Sequence, residues 1–194
     1  VGDIPPADIN VVIDESDNQG IPTVAFVSDV SDGLSCPETI TRTYSVTDIC
    51  GGQITVDQII TVMDVTPPVL SNPPPDILVQ CIGDIPAMIG LGYTDNCDSP
   101  GIVTGVDISD GLSCPETITR TWLYTDLCGN TSSAAIQTIT VHDTTLPTAS
   151  SPANINIECV GDVPAPNILD VTNELDNCTA NPIVAYQGDI SDGL

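Results

Sequence analysis

The side chains here whose type and spacing suggest chemistry are cysteines and aspartates. Eight cysteines stand at positions 36, 50, 81, 97, 114, 128, 159 and 178. None of their spacings matches a zinc site, and the one histidine, His142, has no counterpart elsewhere. An even number of cysteines at recurring positions reads instead as a disulfide framework in an oxidising, extracellular setting. Aspartates recur too: Asp32 with Asp110, Asp48 with Asp126, Asp64 with Asp143, and Asp95 with Asp176. Two roles fit such carboxylates. They form turns and keep the surface solvated, or they supply oxygens to Ca2+, which takes about 6–8 of them in flexible geometry. No complete EF-hand loop is present. Catalysis is disfavoured: a repeated nucleophile, base and acid are required, and lysine is absent altogether. Paired carboxylates also serve glycoside hydrolysis, but these occupy turn positions.

The recurrences belong to an internal repeat. Ser31–Thr43 returns letter for letter as Ser109–Thr121, an offset of 78 (109 minus 31), and its first four letters return as Ser191–Leu194. Thr47-Asp-Ile-Cys-Gly-Gly52 answers Thr125-Asp-Leu-Cys-Gly-Asn130 at the same offset. Gly2-Asp-Ile-Pro5 answers Gly83-Asp-Ile-Pro86 and Gly161-Asp-Val-Pro164. The expected units are 1–65, 66–144 and 145–194, with only the middle one complete. The first lacks its N-terminal strand and the third its C-terminal strands, as in a window cut from a longer tandem polymer. The junctions Asp64-Val-Thr-Pro-Pro68 and Asp143-Thr-Thr-Leu-Pro147 are short and proline-stiffened.

Acidic residues number 27 and basic ones 2, for a formal charge of −25. Such a surface repels nucleic-acid phosphates and anionic lipid, and no membrane span or leader is visible. High charge alone suits disorder, yet 41% hydrophobic residues and a positive mean hydropathy predict a folded core. Strands are expected at 76–80, 88–94, 102–108, 117–125 and 134–141, separated by Pro, Gly and Asp turns. In the clearest, Thr117, Thr119, Thr121 and Thr125 alternate with Ile118, Arg120, Trp122 and Tyr124. No segment carries a capped helical period. The fold class is all-β: tandem immunoglobulin-like β-sandwich repeats of about eighty residues in an extended array.

Thr117-Ile-Thr-Arg-Thr-Trp122, Thr125-Asp-Leu-Cys-Gly-Asn130, Gln137-Thr-Ile-Thr-Val141 and Asp143-Thr-Thr-Leu-Pro147 resemble the hyalin-repeat-like modules of giant secreted proteins of Bacteroidota. The resemblance implies a cell-surface adhesin or filament exported by the type IX system. Asp143-Thr144-Thr145 is similar to the O-glycosylation site of those bacteria, which makes Thr144 a candidate. Asn130-Thr-Ser132 and Asn177-Cys-Thr179 fit the N-glycan sequon, which bears only on a eukaryotic source.

Strand direction decides which cysteines can meet. About nine residues of strand, ~30 Å at ~3.3 Å per residue, separate Cys114 from Cys128, whereas bridged Cα atoms lie within about 7 Å. Alternating strand directions put Cys81 and Cys114 at one end of a unit and Cys97 and Cys128 at the other. The expected bridges are therefore Cys81–Cys114 and Cys97–Cys128. Asp17-Asn-Gln19 stands where Asp95-Asn-Cys97 stands, so Cys50 loses its partner and reads as a buried thiol or an interchain link. The same topology brings Asp29 and Asp32 toward Asp64 and toward Asp95, Asp98 and Asp126, a candidate calcium site at the first junction. Asp110 and Asp143 would meet Asp176 likewise. Arg42 and Arg120 occupy equivalent positions beside Tyr44 and Trp122, which predicts stacking plus a carboxylate partner.

These readings favour a structural stalk or fibre body whose partners are neighbouring repeats, lateral copies of itself or surface glycans. The alternative is a glycan- or protein-binding module. Binding modules display aromatic platforms on loops, and here Trp122, Tyr124 and Tyr44 lie in strands.

Overall fold

The computed structural model describes residues 4–191. Asp192–Leu194 of the last Ser-Asp-Gly-Leu copy, and Gly2 and Asp3 of the first Gly-Asp-Ile-Pro, lie outside the described residues. The protein is all-β, with no α-helix among the described residues. In chain order the strands are β1 (Thr23–Ser31), β2 (Glu38–Thr47), β3 (Gln53–Val62), β4 (Val69–Leu70), β5 (Ile77–Val79) and β6 (Leu91–Thr94). They continue with β7 (Gly101–Val103), β8 (Val106–Ser109), β9 (Glu116–Trp122), β10 (Ala135–Val141), β11 (Thr148–Ser150) and β12 (Thr172–Leu175).

These elements gather into two compact units. The first holds the chain up to Asn72 together with Gly90–Val103 and Trp122–Ala135, so it combines segments of two sequence repeats. Its main sheet is the meander β1-β2-β3, and a second sheet has the order β4-β6-β7. In β2 the alternating pattern read from sequence is the burial pattern: Ile40, Arg42 and Tyr44 are buried, and Thr39, Thr41 and Thr43 between them are half-buried. The pairing register sets Asp29 of β1 directly across from Arg42. The register slips between Phe26 and Ser28, a bulge on β1. At the matching place in the second repeat the strand is broken, with β7 ending at Val103 and β8 starting at Val106. The single strand expected over 102–108 is therefore two.

The second unit holds Pro73–Ile89, Thr104–Thr121 and the chain from Ile136 onward. Its four-stranded sheet has the order β5-β10-β9-β8, with β5 parallel to β10. Ile118, Ile139 and Val141 form its buried core, lined by Ile77, Val79 and Ile85. β11 and β12 make a separate antiparallel pair. Arg120 repeats the role of Arg42: it is buried, and β8 places Asp107 across from it. A buried guanidinium needs both charge and hydrogen bonds satisfied. Asp107 accepts from Nε at 2.7 Å and Nη2 at 2.8 Å, and the Pro86 carbonyl accepts from Nη1 at 3.2 Å.

The Arg120 guanidinium holds the Asp107 carboxyl below the usual carboxylate range. A depressed folded pKa contributes stability that is present above the unfolded value of about 4 and lost as pH falls through the folded one. Acid unfolding should therefore steepen below about pH 4, and Asp107→Asn should flatten that limb. Superimposable acid limbs for the two proteins would count against the ion pair.

Candidate functional site

Two disulfides, Cys36–Cys128 and Cys81–Cys178, are the first feature of the site. Each has its Cα atoms 5.1 Å apart, within the span a disulfide requires. Cys128 sits in the hairpin loop after β9. There the Asp126 carboxylate accepts the backbone N–H of Cys128 at 2.9 Å and of Asn130 at 2.7 Å. Gly129 closes the loop at φ 90°, a left-handed conformation that glycine adopts without strain. Cys81 stands at the N-terminal edge of a 3-10 turn, and its N–H donates to Asp84 at 3.1 Å. Its partner Cys178 follows Asp176, whose carboxylate accepts the Cys178 and Thr179 N–H groups at 2.9 and 2.8 Å.

This pairing corrects the expected Cys81–Cys114 and Cys97–Cys128. Cys81 and Cys114 do line one cavity, together with Cys178, yet the Cys81 sulfur is bonded to Cys178. Both observed bridges run from a cysteine of one sequence repeat to a cysteine of the next. Cys50, expected to be buried, is exposed, with its sulfur 3.8 Å from the Gln19 side-chain oxygen. Cys36 and Cys178, which no within-repeat scheme pairs, are the residues the sequence reading missed. Their signal was that the same four repeat positions pair equally well between copies.

The second feature is carboxylate. Asp64, Asp95 and Asp126 bring ligand oxygens within 4.8 Å of one another. Asp64 comes from the junction after β3, Asp95 from the loop after β6, and Asp126 from the hairpin that carries Cys128. Asp64 and Asp126 are 9% and 7% exposed. Backbone donors tie the carboxylates down. Asp64 Oδ1 accepts the Thr66 N–H at 2.9 Å, which with the Asn96 amide holds its carboxyl below the ordinary range. Asp95 Oδ1 accepts the Cys97 and Asp98 N–H groups at 2.9 and 3.0 Å, while its Oδ2 is buried without a hydrogen-bond partner. Two amides complete the shell: Asn96 Nδ2 lies 3.2 Å from Asp64 Oδ1, and Asn130 Nδ2 lies 2.8 Å from Asp126 Oδ2 and 3.1 Å from the Asp64 carbonyl. A half-turn of either amide presents Oδ1 in place of Nδ2.

The other aspartates proposed as ligands have different partners. Asp29 gives both oxygens to Arg42, at 2.8 and 2.9 Å, which removes it from the set. Asp32 and Asp110 cap their own turns, each accepting from the residue two positions on, Leu34 and Leu112, at 3.0 Å. Asp98 accepts from the Tyr124 hydroxyl and the Leu127 N–H, both at 3.3 Å. Tyr124 stacks on Tyr93 with ring centroids 3.7 Å apart, and its hydroxyl is pushed well above the ordinary tyrosine range, first by Tyr93. Asp143 accepts the Thr145 N–H at 2.9 Å and lies against Asp176, repeating in the second unit the pairing of Asp64 with Asp95. Thr144 is exposed, and its hydroxyl meets the Gln80 amide at 3.2 Å.

No curated protein and no solved structure matches the chain. No helix among the described residues is long and apolar enough to cross a membrane. Residues 69–141, a stretch that contains Cys81, Cys97, Cys114 and Cys128, match the family model of the HYR-like domain with 4 cysteines. With the disulfides, that match indicates an extracellular, adhesion-type module and supports a hyalin-repeat-like domain over this stretch.

Proposed function

We propose that this chain is part of the stalk or fibre body of an extracellular surface adhesin or filament, built from tandem immunoglobulin-like repeats and lacking an active site. The observation that carries the reading is that each compact unit is assembled from segments of two successive sequence repeats and closed by a disulfide between them, Cys36–Cys128 in the first and Cys81–Cys178 in the second. A unit completed by the next copy of the sequence propagates along one chain, as a spacer requires. Near-identity of the repeats agrees, since length is gained by copying. Solution scattering on chains of increasing repeat number should show the longest dimension growing by a constant step per repeat. A compact particle whose size levels off would favour the binding-module reading.

Calcium is the proposed stiffening ion, held by Asp64, Asp95 and Asp126 with the amides of Asn96 and Asn130. The support is the buried, unpartnered Asp95 Oδ2 among close carboxylates. An ion bound only by the folded state at a hundred times its Kd adds about 2.7 kcal/mol. Calcium should therefore raise the melting temperature, and Asp95→Asn, close in shape, should abolish the increment while leaving the calcium-free midpoint nearly unchanged. Equal midpoints for the unmutated protein in calcium and in chelator would leave these aspartates as turn-formers.

A further inference from the structure

The two halves of a Cys36–Cys128 bridge recur in this chain as separate, exposed thiols. Cys114 is the counterpart of Cys36 and Cys50 that of Cys128, each at the repeat offset of 78 (114 minus 36; 128 minus 50). The equivalence is structural as well. Around Cys36 the Asp32 N–H meets the Thr39 carbonyl at 3.0 Å and Ser31 Oγ meets Glu38 at 2.6 Å. Around Cys114 the Asp110 N–H meets the Thr117 carbonyl at 3.0 Å and Ser109 Oγ meets Glu116 at 2.5 Å. The hairpins agree too: Asp48 Oδ1 accepts from Cys50 N–H at 2.7 Å and from Gly52 N–H at 2.8 Å, as Asp126 does from Cys128 and Asn130. Gly51 has φ 92° beside Gly129 at 90°. A loop built like a bridged loop presents its sulfur like a bridged sulfur.

From this we infer that Cys114 and Cys50 are the two halves of an intermolecular or inter-repeat disulfide. Cys114 takes the hairpin cysteine of another copy of this repeat, and Cys50 takes the Cys36-type cysteine of another copy. The occupant is the Thr-Asp-x-Cys-Gly hairpin itself, and the open cavity beside Cys114, rimmed by Leu112 and Ile82, is where it seats. The inference rests on the tandem reading of the repeat. The oxidant is a small-molecule disulfide such as oxidised glutathione. The Cys114 thiolate attacks it and releases one glutathione thiolate. The Cys50 thiolate of the second copy then attacks the Cys114 sulfur of the mixed disulfide and expels the second. Two protein thiols are oxidised, one glutathione disulfide is reduced to two thiols, and the two protons lost by the cysteines end on them.

The test uses the whole chain in a background with Cys97→Ser and Cys159→Ser, oxidised with glutathione disulfide and mapped by proteolysis without reduction. Cys50→Ser and Cys114→Ser leave both existing bridges intact, so the fold is retained. Each variant alone should stay monomeric, and their mixture should give a covalent heterodimer containing one Cys114–Cys50 peptide pair. The unsubstituted pair of thiols should give longer chains. A mixture that stays monomeric with glutathione on Cys114, or one that yields Cys114–Cys114 or Cys114–Cys81 peptides, overturns the inference. Scattering that still grows by a constant step per repeat, with Cys114 left unlinked, would retain the stalk reading and discard this one.

Discussion

Replacing Cys36 and Cys128 together by serine is expected to lower the unfolding free energy by about 4 kcal/mol, and Cys81→Ser with Cys178→Ser by a similar amount. The cross-linked residues are 92 and 97 positions apart. A loop near a hundred residues gives up ~4.7 kcal/mol of chain entropy in the unfolded state when it is closed. Set against total stabilities of about 5–15 kcal/mol, loss of either bridge removes a large share. At about 2–4 °C per kcal/mol for chains of this size, the melting temperature should fall by roughly 8–16 °C for each. Thermal and urea unfolding of the two double variants would measure it. Because the effect is carried by the unfolded chain, the folded spectra of the variants should be unchanged. A drop below about 1 kcal/mol would mean that neither bridge constrains the unfolded ensemble.

Trp122→Ala should be comparably severe, at about 3–5 kcal/mol, because Trp122 is fully buried and an alanine leaves a void that a β-strand cannot collapse to fill. Trp122→Tyr should cost less than about 1.5 kcal/mol. The reason lies in the repeat: the position 78 residues earlier (122 minus 44) holds Tyr44, itself 1% exposed on the same face of the equivalent strand. One fold therefore accepts either ring at this place. Denaturant midpoints for both variants separate the cases, and a tyrosine variant as weak as the alanine one would show that the two repeats pack this position differently.

Much of the fold was legible because burial follows a period of two. Ile118, Arg120 and Trp122 are buried where alternation placed them, including an arginine that hydropathy alone would put outside. Its partner was less visible. Asp107 reads as one more turn aspartate until the register sets it opposite Arg120, and register is a property of two strands. Where the ladder departs from backbone pairing, alternation also misled. The strand expected to reach Thr125 stops at Trp122, because the Tyr124 N–H bonds the Ser132 hydroxyl at 3.1 Å in place of a carbonyl. Of the proposed calcium ligands, Asp64, Asp95 and Asp126 gather because each belongs to a loop at one end of its strands. Strand topology alone sets Asp29 with them at one end of the first repeat, but the cross-strand arginine claims it. The cysteines failed for a different reason. Cysteines recur at matching positions from copy to copy, so spacing alone does not distinguish a bridge inside one copy from a bridge to the next.

The two bridges overlap along the chain, and that decides how tension would travel through it. Pulling residues 36 and 178 apart in the reduced protein can draw out all 142 residues between them (178 minus 36), a contour of about 480 Å at ~3.4 Å each. In the oxidised protein force entering at Cys36 reaches Cys178 by three routes. One follows the backbone from 36 to 81 and crosses the second bridge; the other two cross the first bridge to 128 and then run either forward to 178 or back to 81 and across the second bridge. The shortest route holds 45 residues (81 minus 36), so extension stops at about 150 Å. The stretch from 37 to 80, which contains all of β2 and β3, is that shortest route and becomes taut first, ahead of the 47 residues from 81 to 128 (128 minus 81) and the 50 from 128 to 178 (178 minus 128). A strained fibre of such units would therefore yield by a fixed, short amount and then hold on covalent bonds, with three stretches of nearly equal length to take up the load.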